Sequence, residues 1–77
     1  MASKKVEFEG TDYRITFEPY GYGDSRFIVN GEPTQWWVPD KRLTDLNVFK
    51  ETARKAIEDY IAKKEAEENF KNWDGKL

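Results

Sequence analysis

Between positions 44 and 69 the chain reads TDLNVFKETARKAIEDYIAKKEAEEN, with neither glycine nor proline to interrupt it. Leu46, Phe49, Ala53, Ala56, Ile57, Tyr60 and Ile61 recur at the i, i+3, i+4, i+7 spacing of an amphipathic helix. At about 100° per residue these side chains fall in a sector roughly 140° wide. The other flank carries Lys50, Glu51, Arg54, Lys55, Glu58, Asp59 and Lys63, a mixed-sign solvated surface. A helix with one such stripe needs one apolar surface to lie on, and the preceding residues must supply it.

They do so with period-two runs. Val6 and Phe8 alternate with charged residues over 5–9, and Tyr13, Ile15 and Phe17 alternate with Arg14, Thr16 and Glu18 over 13–18. The cluster Gly10-Thr11-Asp12 between them predicts a hairpin turn. Pro19 ends the second run or places it at an edge, and 21–25 turns the chain. Strands at 26–30 and 34–38 follow. They are joined by Asn30-Gly31, the strongest short hairpin signal here, which asks for a type I′ turn. Pro33 suits an edge position, and Thr44, Asp45 or the later Asn47 supplies the helix N-cap.

The prediction is therefore one α+β domain spanning 1–77. It has an antiparallel meander of three to four strands, with one long C-terminal helix (44–69) packed on one face and a tail at 70–77. Val6, Phe8, Ile15, Phe17, Phe49, Ala53, Ile57 and Tyr60 are expected in one core. A chain of 77 residues has little interior, and twelve aromatics (five Phe, four Tyr, three Trp) are what make a core affordable. Met1–Lys5 is expected to fray.

Charge and composition narrow the function. The net charge of −2 is spread evenly: residues 1–43 carry six basic and seven acidic side chains, and 44–77 carry seven and eight. No block has the basic footprint of a nucleic-acid binder. Histidine and cysteine are absent, which removes the commonest general base and the best nucleophile. No phosphate-loop or calcium-loop spacing is present. The expectation is a protein that is not an enzyme and uses no cofactor or metal. It is expected in the cytoplasm and off the membrane, since no apolar run approaches the ~20 residues of a span and no signal-peptide segment opens the chain.

Four pairs of residues are candidate contacts. Trp36 and Trp37 are adjacent in a strand, so one points under the helix and the other to the uncovered face. Arg14 and Arg26 fall on wet positions of the same sheet. Tyr20 and Tyr22 lie in the glycine-punctuated loop Tyr20-Gly21-Tyr22-Gly23-Asp24, a mixture of rigid aromatics and mobile backbone that suits a binding loop. Phe70 and Trp73 fall near 240° and 180° of the helical wheel, off the core stripe. Either the helix breaks near Glu68 or Asn69 and the tail folds back on the sheet, or these two rings anchor a partner or a second copy.

The order from Tyr13 to Ala62 resembles the small arm-type DNA-binding domains of phage integrases and the related plant AP2 domains. The likeness is carried by YRITFEP, by the turn Asn30-Gly31-Glu32-Pro33 and by FKETARKAIEDYI, about two-thirds of the chain. It implies a three-stranded sheet whose face meets a DNA groove, here with Arg14 and Arg26, helped by Lys41 and Arg42, against Glu18 and Glu32. The function expected first is a small non-catalytic protein-binding module, monomeric or homodimeric. It would act as an adaptor or inhibitor on a larger complex, as phage- and plasmid-type accessory proteins do. The alternative is a nucleic-acid accessory that reads its ligand with the open sheet face.

Overall fold

In the computed structural model, which describes residues 3–77, four antiparallel strands precede one helix. β1 is Lys4–Phe8, β2 Thr11–Pro19, β3 Asp24–Val29 and β4 Glu32–Pro39; a 3-10 turn at Asp40–Arg42 leads to α1, Leu46–Asn72. The sheet order β1-β2-β3-β4 is a plain meander. Of the stretch expected to fray, Met1 and Ala2 lie outside the described residues, whereas Lys4 and Lys5 belong to β1.

Both two-residue hairpin turns carry positive φ at both central positions. Asn30 (49°) and Gly31 (83°) do so as the Asn-Gly signal requires. The first turn is Glu9 (51°) and Gly10 (81°), one residue earlier than expected, and Thr11 and Asp12 are paired with Phe8 and Glu7. Glu9 reads as the last residue of an alternating strand, and nothing in its side chain announces a left-handed backbone.

The register sorts side chains onto two faces. Ile15 pairs with Val29, Phe17 with Phe27 and Pro19 with Ser25, and these point toward α1. Ile15, Phe27, Val29 and Val38 are buried against Ala53, Ala56 and Ile57 of the helix. Two alanines at the contact allow a close approach, and α1 lies nearest β4 and β3. Phe27 meets Phe17 edge-on at 4.8 Å and Phe49 at 5.7 Å, while Tyr13 packs on Tyr60 at 6.1 Å. All eight expected core residues are in this cluster or packed against it.

The β3–β4 ladder carries one irregularity. Arg26 pairs with Trp37 and Ile28 with Pro33, so Thr34, Gln35 and Trp36 all lie opposite Phe27 alone. A bulge leaves ladder groups unpaired. Thr34 answers this, donating its hydroxyl to the Phe27 carbonyl at 2.8 Å and accepting from the Trp36 N–H at 3.3 Å. That is why a threonine is buried here. Because two residues are inserted, the in–out alternation survives and Trp37 still faces outward.

The helix departs from expectation at both ends. Asp45 is its N-cap, accepting from the N–H groups of Asn47 and Val48. Leu46, placed in the core stripe by phase, is 61% exposed, because the stripe there has run past the sheet into a groove beside β1. Val48, which the ~100° step puts about 200° from Leu46, packs against the core. At the other end α1 continues to Asn72, three residues beyond the expected stop. Its 27 residues make a rod about 40 Å long. The last helical side chain tied to the sheet is Lys64, bonded to the Glu32 carboxylate. That bond, ahead of a smaller opposing desolvation, raises the Lys64 pKa above its ordinary value. Lys64 is therefore protonated throughout the physiological range, and alkaline pH that removes its proton breaks this ion pair. From Glu65 onward every residue is exposed. Among the described residues, no helix is long and apolar enough to cross a membrane.

A candidate binding face on the open side of the sheet

With α1 on one face, the opposite face of the sheet is left to solvent. Its side chains follow from the register: Lys5 beside Arg14, Glu7 beside Asp12, Thr16 beside Ile28 and Pro33, and Glu18 beside Arg26 and Trp37. The adjacent tryptophans divide as strand geometry requires. Trp36 is half-buried on the helix side with the Lys55 ammonium 5.3 Å over its ring. Trp37 is on the open face, 46% exposed.

Trp37 is not alone there. The Tyr20 ring lies 5.8 Å from it, tilted by 37°. The Arg26 guanidinium stacks 4.6 Å from the centre of Tyr20 and reaches Glu18 at 3.5 Å. Tyr20 is held at its position by donating its N–H to the Asp24 carbonyl at 3.0 Å across the loop. Gly21 and Gly23, with φ of 67° and 74°, supply the backbone reversal that closes this short span. Tyr20, 39% exposed, therefore belongs to the open face rather than to the edge of the core. Two aromatic rings and an arginine, each holding another in place, are a rigid surface, and such surfaces bind with little loss of side-chain entropy.

The other expected contact residues fall elsewhere. Arg14 is on the same face but about 13 Å along the strand from the row of Arg26, by ~3.3 Å per residue. It borders a shallow polar hollow with Lys5, Thr16 and Asn30. Its N–H donates to Asn30 Oδ1 and its carbonyl accepts from the Asn30 N–H, both at 2.9 Å, so its backbone locks the second hairpin. Tyr22 projects fully into solvent from the loop tip and touches no aromatic neighbour. The fold-back of the tail does not occur. Phe70 (75% exposed) and Trp73 (48%) meet each other at 6.3 Å on the free end of α1, remote from the sheet. There Trp73 donates its indole N–H to the Lys76 carbonyl at 3.1 Å and Lys76 donates its N–H to Asp74. The last residues close a local turn on themselves.

This placement fixes the outcome of a truncation. Removing residues 70–77 deletes no core contact, so stability is expected to change by less than about 1 kcal/mol. A urea melt showing a loss of about 2 kcal/mol or more would mean that these rings pack on the body of the protein.

The electrostatics of the open face are balanced. Lys5, Arg14 and Arg26 stand against Glu7, Asp12, Glu18 and Asp24. Only Arg26 is in contact with the aromatic cluster, and its charge is already shared with Glu18. No protein-family model matches the chain, and neither a curated protein nor a solved structure matches it. The resemblance to integrase arm-type domains thus rests on element order alone, and here a fourth strand, β1, precedes the three it accounts for.

Proposed function

We propose that this protein is a small, non-catalytic protein-binding module, and that it docks on a larger protein through the open face of its sheet. The observation that carries the reading is the Tyr20–Arg26–Trp37 cluster. Tryptophan, tyrosine and arginine are the residue types that dominate binding energy at protein interfaces, and they do so from preorganised central patches. Arg26 and Glu18 then set orientation, and the surrounding Gln35, Ile28 and Pro39 form a rim of mixed character. A cytoplasmic adaptor or inhibitor fits this arrangement.

The same rings would suit stacking on nucleobases, but phosphate neutralisation supplies most of the affinity of such complexes. A face with three cations and four carboxylates lacks it. The protein is accordingly expected to pass through a heparin column at physiological salt. Retention there, with elution that depends steeply on salt, would overturn the protein-binding reading in favour of nucleic acid. The direct test is affinity capture from lysate of the source cell, with and without nuclease, followed by mass spectrometry. A protein captured equally in both arms by the wild type, and not by Trp37→Ala, is the expected result.

A further inference from the structure

The sheet has two edges, and they are not equivalent. β4 carries Pro33 and Pro39, holds the bulge opposite Phe27, and is overhung by Lys55 on Trp36 and by Lys64 on Glu32. Prolines and bulges are how sheet edges are closed to further strands. β1 has neither.

Backbone alternation identifies which groups β1 leaves open. Arg14 turns its N–H and C=O toward Asn30, on the β3 side. Tyr13 and Ile15 therefore turn theirs toward β1, where they meet Val6 and Lys4. The N–H and C=O groups of Lys5 and Glu7 are left pointing outward from the sheet. Beside them, between β1 and α1, runs an apolar groove of about 390 Å³ floored by Val6, Phe49, Ala53 and Ile57. That volume is within the ~300–1,000 Å³ typical of ligand clefts. Lys4, Lys50 and Arg54 line it, against the single carboxylate of Glu7. Arg54 is paired with Glu58 at 2.9 Å, but among the described residues no carboxylate pairs with Lys4 or Lys50.

We propose that this edge and groove form a second docking site, which takes an extended acidic peptide segment of a partner as a fifth strand on β1. The backbone of the incoming segment pairs with Lys5 and Glu7. Alternate side chains enter the groove, apolar over Val6 and Ala53 and acidic toward Lys4 and Lys50. The cations make the choice of occupant. A second copy of the chain would bring Lys4, Lys50 and Arg54 up to their own counterparts, whereas an acidic strand neutralises them.

The site is independent of the Tyr20–Arg26–Trp37 cluster, and Trp37→Ala is expected to leave it unchanged, so the two readings fail separately. The probes are two fluorescein-labelled peptides with an alternating valine–threonine centre, one flanked at each end by glutamates and the other by lysines. Fluorescence anisotropy is expected to show the acidic peptide binding about tenfold tighter or more, a difference of the size that interfacial charge pairs produce. In ¹⁵N spectra the Lys5 and Glu7 amides are expected to become protected from exchange on saturation. Glu7→Pro removes an outward N–H and should abolish binding. Lys4→Glu with Lys50→Glu changes only exposed positions and should invert the charge preference, which keeps the test decisive if the proline variant fails to fold. Equal binding of both peptides, or protection confined to other residues, would overturn the proposal. So would protection of Lys5 and Glu7 that rises with protein concentration alone, since that would assign the edge to a second copy.

Discussion

Phe27→Ala is expected to remove about 3–5 kcal/mol of stability, the range for truncating a fully buried aromatic side chain. A chain of 77 residues at ~0.05–0.15 kcal/mol per residue has only about 4–12 kcal/mol in total, so the variant should be largely unfolded near 37 °C. The size of the effect follows from the surroundings. Phe27 has no exposed surface and contacts rings from β2 and from the helix, Phe17 and Phe49. Its backbone is held by Thr34 within the bulge, so β3 and β4 cannot slide inward to fill the void. Phe49, which is only half-buried, should lose less on the same substitution. Urea denaturation of both variants measures the ranking. A loss below about 1 kcal/mol for Phe27→Ala, or a larger loss for Phe49→Ala, would show that the layer between sheet and helix is packed differently.

Trp37→Ala is expected to weaken partner binding by about 2 kcal/mol or more, roughly thirtyfold, while stability falls by less than about 1 kcal/mol. The two numbers separate because Trp37 lies outside the core and contacts Tyr20 and the strand pair Arg26 rather than the helix. Tyr20→Ala should weaken binding as well, and the double variant should lose less than the sum. Each ring supports the other, and contacting residues couple by about 0.5–3 kcal/mol. Titration of the captured partner against the two single variants and the double variant gives the coupling directly. Additive losses would mean that the two rings act as separate contacts, and losses under twofold would remove the cluster from the interface.

What the sequence disclosed and what it hid divide along physical lines. Alternation at Tyr13–Phe17, Asn-Gly at 30–31 and the helical spacing from Leu46 to Ile61 report local preferences, and the meander, the helix and the side of each strand follow from them. The split of Trp36 from Trp37 follows from strand geometry, though only the register shows which ring faces out. The bulge at Phe27 is a property of two strands together, and no single-strand pattern contains it. Helical phase placed Leu46 in the core and left two readings for Phe70 and Trp73, a break with fold-back or an anchor for a partner or second copy. Phase reports the direction of a side chain, however, and not whether any sheet lies beneath it. The cluster on the open face needed one fact outside the reach of pattern, that the loop carries Tyr20 back over Trp37 and beneath Arg26. The groove beside β1 likewise depends on where α1 lies on the sheet, nearest β4 and β3, which no single-element pattern contains.

The three tryptophans sit in three different environments: Trp36 under the helix, Trp37 on the open face and Trp73 at the free end of α1. Their indole N–H groups give three separate probes in one ¹⁵N spectrum. Titrated with the captured partner, the Trp37 resonance is expected to shift or broaden first and furthest, with those of Trp36 and Trp73 nearly unmoved. Perturbation of Trp73 with Trp37 unchanged would contradict the account and transfer the interface from the sheet to the end of the helix.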